Sequence, residues 1–255
     1  MSSGHMPVED AAVTAEADAL YTNERGAQYY AQREALRCED VQRERAELFF
    51  DLADASGVIL DFGCGNGGVL AQLPAMRRVG IEISPFAIHD ARERLDYVAA
   101  NLDEIPDSSI DIAISFHALE HIAQPAQIIQ NMHRVLKPGG RLRIVVPCEM
   151  PLLLREHRRW RRHDTNMHLF GWTPLTLGNL LTVCGFDVEE TRIVPASAGG
   201  RFGRLLSPKN RVRRVLAYTK ALISGRFHTV VTARKPITRP FLGFGGASAI
   251  SGHSH

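Results

Sequence analysis

Glycines at positions 63, 65, 67 and 68 follow directly on the short branched run Val58–Phe62 (VILDF). No other stretch constrains the fold as strongly. An apolar run of that length ended by glycine reads as a strand buried on both faces, as in a parallel sheet. The glycine turn leaves the backbone open to a ligand. Gly68–Leu73 reads as a helix stopped before Pro74, with its free N–H groups toward the turn. The alternation then continues. Strands are expected at Arg78–Ile83, Tyr97–Ala100, Ile110–Phe116, Arg141–Pro147, Phe186–Val194 and Phe227–Ala233. Helices are expected at Phe86–Leu95, Ile128–Val135 and Leu175–Cys184, and a turn at Lys137–Gly140. Strands alternating with helices imply an α/β fold with a mostly parallel sheet covered on both faces.

Composition excludes several classes. Apolar residues make up 45% and charged residues 23% of the 255, and the formal charge is +2. That balance suits a single soluble α/β domain and demands no polyanionic partner. No stretch reaches the roughly 18 apolar residues of a membrane span. Cys38, Cys64, Cys148 and Cys184 are far apart with no paired spacing, as expected of reduced thiols in a cytoplasmic protein. The opening Met1–Met6 reads as a cloning scar and the Gly/Ser/His-rich end from Gly243 as a disordered tail.

Two carboxylates give the glycine turn its meaning. Asp61 stands at the end of the first strand, ahead of Gly63, where it suits a ligand ammonium and repels a pyrophosphate. Glu82 ends the second strand, where a carboxylate accepts hydrogen bonds from both hydroxyls of a ribose. VILDFGCGNGGVL resembles motif I of the class I S-adenosylmethionine-dependent methyltransferases, and VGIEIS resembles their ribose-binding strand. The resemblance continues through AANLDEIPD (99–107), DIAISFHALEHI (111–122) and RVLKPGGRLRIVVP (134–147). It covers Leu48 to Pro147, and more loosely Asn166–Lys235.

The resemblance implies a doubly wound, seven-stranded, mostly parallel Rossmann-like sheet whose last strand is antiparallel, with S-adenosyl-L-methionine as cofactor. Gly63, Cys64 and Gly65 would line its methionine part, with Asp61 on the ammonium, directly or through water. Glu82 would hold the ribose, Ile83 would pack on the adenine, and Asn101 and Leu102 would meet the adenine edge, with Asp103 the alternative to Asn101. Phe116 or His117 would lie under the methyl donor. Residues 1–20 are then a tag or disordered leader, and 21–53 a helical lid with Tyr21, Tyr29, Tyr30 and Arg33. Residues 54–240 form the methyltransferase domain, with a basic helical insertion at 195–225 before the last strand and a disordered tail at 241–255.

On the substrate side, a hydroxyl acceptor often needs a base and a neutral amine does not. Histidine titrates near neutrality, and His117, His121 and His168 are the candidate catalytic residues. DTNMHLFGWTP (164–174) falls where small-molecule O-methyltransferases of the superfamily carry a His, an aromatic and a Pro-initiated helix. By that similarity His168 faces the active-site mouth, with Phe170 and Trp172 as an apolar wall. Glu120, His121 and His168 offer a carboxylate–imidazole set, yet no compact ligand motif supports a metal and none is expected. The basic run His157–His163 around Trp160 suits a phosphate or carboxylate on the acceptor.

The leading expectation is methylation of a hydroxyl on a small molecule: a sugar, a glycolipid precursor or a secondary metabolite. The alternative is N-methylation of an amino sugar or other amine, followed by methylation of tRNA or another nucleic acid, and last by a cofactor-binding protein without chemistry. A nucleic-acid substrate is not expected, because Ile114-Ser115-Phe116-His117 stands where an Asn-Pro-Pro-Tyr-like motif would. Residues 201–220 pair basic with apolar side chains, as a solvated helical face does, or a landing surface for an acidic substrate or for lipid headgroups in a peripheral membrane contact. The oligomeric state is left open.

Overall fold

In the computed structural model, residues 21–32, 37–148, 168–197, 206–207 and 209–237 are described. The expected leader 1–20, Arg33, the basic run 157–163, Arg201, Arg204 and the tail 241–255 lie outside them. Two N-terminal helices, α1 (Glu24–Gln32) and α2 (Glu39–Ala46), precede an alternating core. The core comprises β1 (Val58–Phe62), β2 (Arg77–Ile81), α3 (Pro85–Arg94), β3 (Tyr97–Ala99), β4 (Ile110–Phe116), α4 (Pro125–Val135) and β5 (Leu136–Pro147). After it come α5 (Pro174–Val183), β6 (Asp187–Pro195), α6 (Arg211–Ser224) and β7 (Phe227–Arg234).

The seven strands form one sheet in the order β3-β2-β1-β4-β5-β7-β6. β1 pairs parallel with β2 and β4, whereas β7 runs antiparallel to β5 and β6. The sheet is the doubly wound, mostly parallel one expected. Winding reverses between β1 and β4, and ligands of such sheets bind outside the strands' carboxyl ends at that reversal. Side chains alternate across the strands. Leu60, Ile144 and Val231 pack with Ile129 and Met132 of α4 and Leu177 and Leu181 of α5 on one face. Ile59, Ile114 and Val145 pack with Ala46, Phe49 and Ala91 on the other.

Two local expectations are corrected. In place of a helix over Gly68–Leu73 there is one 3-10 turn, Leu70–Gln72. Gly67 has φ +75° and Pro74 blocks continuation, so one i→i−4 bond forms, Ala71 N to the Gly67 carbonyl, before the chain tightens into i→i−3 bonds. Leu70 and Leu73 are buried all the same, and no helix N-terminus faces the glycine turn. The Lys137–Gly140 turn lies within β5. Ile110 pairs with Leu136 and Ile112 with Arg141, so the intervening residues bulge from the ladder. Gly139 supplies the φ of +80° that the bulge needs.

One buried charge ties the N-terminal segment to the sheet. Arg143 of β5 is 1% exposed. Its guanidinium donates to Thr232 Oγ1 (2.8 Å), to the Leu48 carbonyl (2.7 Å) and to both carboxylate oxygens of Asp51 (2.5 and 2.9 Å). The Arg143 hydrogen bond holds the Asp51 carboxyl below its ordinary value. A depressed carboxylate contributes stability above its unfolded pKa, and that contribution is lost as pH falls through the folded value. Asp51→Asn is therefore expected to cost about 1 kcal/mol at pH 7, a figure discounted for Asp51's exposure. Thermal melts check this: the deficit should shrink as pH falls below the ordinary aspartate range and through the lowered folded value of the wild-type carboxyl.

Candidate active site

A cavity of about 450 Å³ opens at the carboxyl ends of β1, β2 and β4, and it takes in Asp61, Gly63, Cys64, Gly65, Glu82, Ile83, Asn101, Leu102, Phe116, His117 and His121. Every expected cofactor residue thus lines one space. Tyr21, Tyr29 and Tyr30 from the N-terminal segment line it as well. His168 is absent from the described lining.

At one end, β1 and β2 deliver two buried carboxylates. Glu82 accepts from the backbone N–H of Gly65 (2.8 Å), Ile83 (3.0 Å) and Ser84 (2.8 Å). Those three donors oppose the burial that raises its pKa. Asp61 is 2% exposed, and its Oδ1 has no hydrogen-bond partner among the described residues. Burial, then the Glu82 charge, pushes the Asp61 carboxyl well above its ordinary value. Tyr30 closes over this end, and burial followed by the Glu82 charge raises its hydroxyl too. Two buried carboxylates favour a ligand that brings positive charge.

The glycines have distinct tasks. Gly63 has φ +73°, and a Cβ there would meet Ala118 Cβ at 2.5 Å, so it serves packing as well as the turn. Gly65 has φ +55°, and a Cβ there would meet nothing within 4 Å, because that volume is cavity. Cys64 turns its sulfur into the core, against Gly80. Asn101 caps the 3-10 turn Leu102–Glu104: its Oδ1 accepts from Asp103 N (2.9 Å), while Glu104 Oε1 accepts from Ala100 N (2.9 Å) and Asn101 N (3.2 Å). The amide oxygen expected at an adenine edge is thus engaged with backbone. Asn-x-x-Glu is a readable capping box, a signal overlooked at Asn101.

At the other end, β4 runs out at Phe116 and His117. His117 takes φ +53°, in the left-handed region rare for residues with a Cβ. Its N–H still donates to the Val145 carbonyl (2.8 Å). The ring stacks on Phe116 (centroids 4.3 Å apart, 6° between planes), and Arg45 lies over the Phe116 ring at 5.1 Å. His117 Nε2 is 2.9 Å from His228 Nδ1. Burial and the Arg45 charge lower His228 to about 4. Burial, His228 and Arg45 hold His117 well below 6.5. Two neutral rings then share one N–H···N bond. The Ala196 backbone also bonds His228. With the His228 proton on Nε2, its Nδ1 would accept from His117 Nε2 and leave a lone pair on His117 Nδ1.

Glu120, 1% exposed, lies beside this pair. Its Oε1 is 3.9 Å from His117 Nδ1 and 3.8 Å from His121 Nε2. The Glu120 carbonyl accepts from Leu169 N (2.8 Å) and Phe170 N (3.2 Å), which brings the His168 ring to 5.0 Å from that of His121. One ligand atom each of Glu120, His121 and His168 fall within 4.8 Å of one another. The three candidate histidines lie close together, and of them His117 and His121 are on the described cavity lining. The expected wall does not form: Trp172 is in the core and Phe170, 37% exposed, is off the described lining. Trp172 pairs by a β-bridge with Cys148, which draws it inward.

Sequence reasoning missed His228 and Arg45. A lone histidine in the apolar run FHTVVTA was the available signal for His228; nothing in the charged helix α2 marked Arg45.

A family model described as a methyltransferase domain matches residues 29–191. An uncharacterized 37.1 kDa protein of transposon Tn4556 from Streptomyces fradiae is 36% identical over 75% of this chain and 63% of its own length. A probable S-adenosylmethionine-dependent methyltransferase of Mycolicibacterium smegmatis is 30% identical over 55% of this chain and 56% of its own. The chain thus spans less than two thirds of these curated relatives. Among solved structures, a methyltransferase of Thermotoga maritima described as a possible histamine N-methyltransferase superposes with a TM-score of 0.61, at 18% identity over 86% of this chain and 99% of that one. That likeness speaks to fold alone. Family match, sheet order and the paired strand-end carboxylates agree, and the chain belongs to the methyltransferase-domain family of the class I S-adenosylmethionine-dependent methyltransferases.

Proposed function

We propose that this chain transfers a methyl group from S-adenosylmethionine to a hydroxyl of a small molecule, with His117 taking the hydroxyl's proton. The observation that carries this reading is the His117 imidazole, held to His228 at 2.9 Å, in the same cavity as two buried carboxylates. S-adenosylmethionine supplies an electrophilic methyl on a cationic sulfur and carries an ammonium group besides. The residues present fit it. Asp61 Oδ1 offers a buried acceptor to the ammonium, Glu82 is fixed to receive ribose hydroxyls, and the space above Gly65 is free for the methionine chain.

In-line transfer needs positioning first and a base second. Phe116 supports the His117 ring from below, and His228 fixes its rotation. His117 Nδ1 accepts the proton as the acceptor oxygen gains the methyl group, and Glu120 then faces the imidazolium. His121 and His168 position Glu120, a shift from the direct role expected of His168. Arg37 and Arg45 line the cavity, a cationic rim suited to a carboxylate or phosphate on the acceptor.

Two experiments test this reading. Gly65→Ala and Asp61→Asn should each weaken S-adenosylhomocysteine binding about tenfold or more by calorimetry, with the melting temperature of Asp61→Asn held or raised. Unchanged affinity in both sinks the cofactor assignment. The pH profile tests the base. His117 must be neutral to act, and its pKa is depressed by burial first, then by the neighbouring His228, Arg45, His121 and His168; Glu120, also beside it, would oppose this if ionised. The acid limb of kcat/KM should therefore lie below pH 6.5 and the rate stay flat from there to pH 8. His117→Gln should lose about 10²-fold in kcat, and an intact kcat would move the reading to an acceptor that needs no base.

A further inference from the structure

The basic insertion carries a helix mounted with its apolar side outward. On α6, Arg213, Ala217 and Ala221 face the protein, whereas Val212, Val215, Leu222 and Ile223 are 54%, 65%, 64% and 82% exposed and Tyr218 is 44% exposed. At 3.6 residues per turn these five side chains fall within an arc of about 140°. Arg214 and Lys220 flank the arc on its two sides, and Arg211 begins it.

The orientation is pinned. Arg213, 6% exposed, donates to the Leu206 carbonyl (3.1 Å) and forms a two-point ion pair with Glu47, which follows α2. Rolling the helix to bury its valines and leucine would carry Arg213 away from Glu47 and break the pair. Asn210 caps the start, accepting from Val212 N at 2.8 Å, and Gly225 ends it with φ +70°. The apolar face is thus a built feature of a capped, anchored helix. No helix among the described residues is long and apolar enough to cross a membrane.

Charge says what covers the face. Residues 201–226 contain eight Lys and Arg residues and neither Asp nor Glu. A second copy seated on this face would set Arg211, Arg214 and Lys220 against their own equivalents, with no acid on the helix to offset them. An anionic surface matches both the apolar arc and its cationic flanks. We infer that α6 docks this protein on anionic lipid bilayers, its apolar side chains entering the headgroup boundary and Arg211, Arg214 and Lys220 meeting lipid phosphates. The helix joins the end of β6 to the start of β7, at the sheet edge that also holds His117 and His228. Docking therefore sets the cavity edge toward the lipid. The inference stands whether or not a hydroxyl is the acceptor.

The test is flotation of the full chain with vesicles of phosphatidylcholine alone, or of equal parts phosphatidylcholine and phosphatidylglycerol, paired with the mass in solution by light scattering. Binding at least about tenfold tighter to the anionic vesicles is expected, weakening as salt rises. Val215→Glu combined with Ile223→Glu should abolish it, and Arg214→Glu combined with Lys220→Glu should reduce it about tenfold. Both variants should keep wild-type melting temperatures and S-adenosylhomocysteine affinity. Failure of the wild type to float with anionic vesicles overturns the inference, as does undiminished binding by the Val215/Ile223 variant. A wild-type dimer that the same variant converts to monomer overturns it in favour of a self-interface.

Discussion

Glu82 joins the two halves of the cofactor end. Its carboxylate takes the N–H of Gly65 from the loop after β1, and those of Ile83 and Ser84 from its own strand end. The loop has no helix behind it to supply dipole or donors, since only a 3-10 turn follows. The carboxylate therefore organises the glycine loop from across the β1–β2 pair. This costs desolvation, which three charge-assisted hydrogen bonds offset, and it places a second negative charge beside Asp61. That like-charge pairing suits a ligand bringing positive charge better than a pyrophosphate.

The winding of the sheet decides the rest of the site. β1 and β4 are adjacent but far apart in sequence, so their carboxyl ends bring Asp61 and His117 to one crevice. β7 runs back antiparallel beside β5, and its second residue, His228, arrives under His117. His117 holds a left-handed backbone that costs on the order of 1 kcal/mol. Its ladder bond to Val145 and its bond to His228 keep it there.

Much of this was legible from residue order. Val58–Phe62 and Ile110–Phe116 are strands at the expected residues, because unbroken branched runs bounded by glycine or polar turns leave no competing period. Glu82 was readable from its place at a strand end. What was lost required tertiary information. The missing helix after Gly68 turned on two glycines and a proline outweighing a helical pattern. The His117–His228 bond spans residues far apart in sequence, and no local pattern announces it. Trp172 reads as a pocket wall beside a histidine, yet its bridge to Cys148 takes it into the core. The apolar side of α6 was visible as composition, but only its ion pair with Glu47 shows which side faces out.

Charge divides the molecule between its tasks. Carboxylates are buried at the carboxyl ends of β1 and β2, imidazoles with lowered pKa sit beyond β4, and the insertion gathers an excess of cationic residues. The central claim is that the strand-end carboxylates select a cationic sulfonium cofactor. Calorimetric titration of S-adenosylmethionine into wild type and Glu82→Gln tests it most directly. The account predicts a wild-type Kd in the micromolar range and a loss of about tenfold or more in the variant, since the loop donor at Gly65 and the ribose contact both weaken. Equal affinity for the two proteins, or tighter binding of a nicotinamide dinucleotide by the wild type, would contradict it.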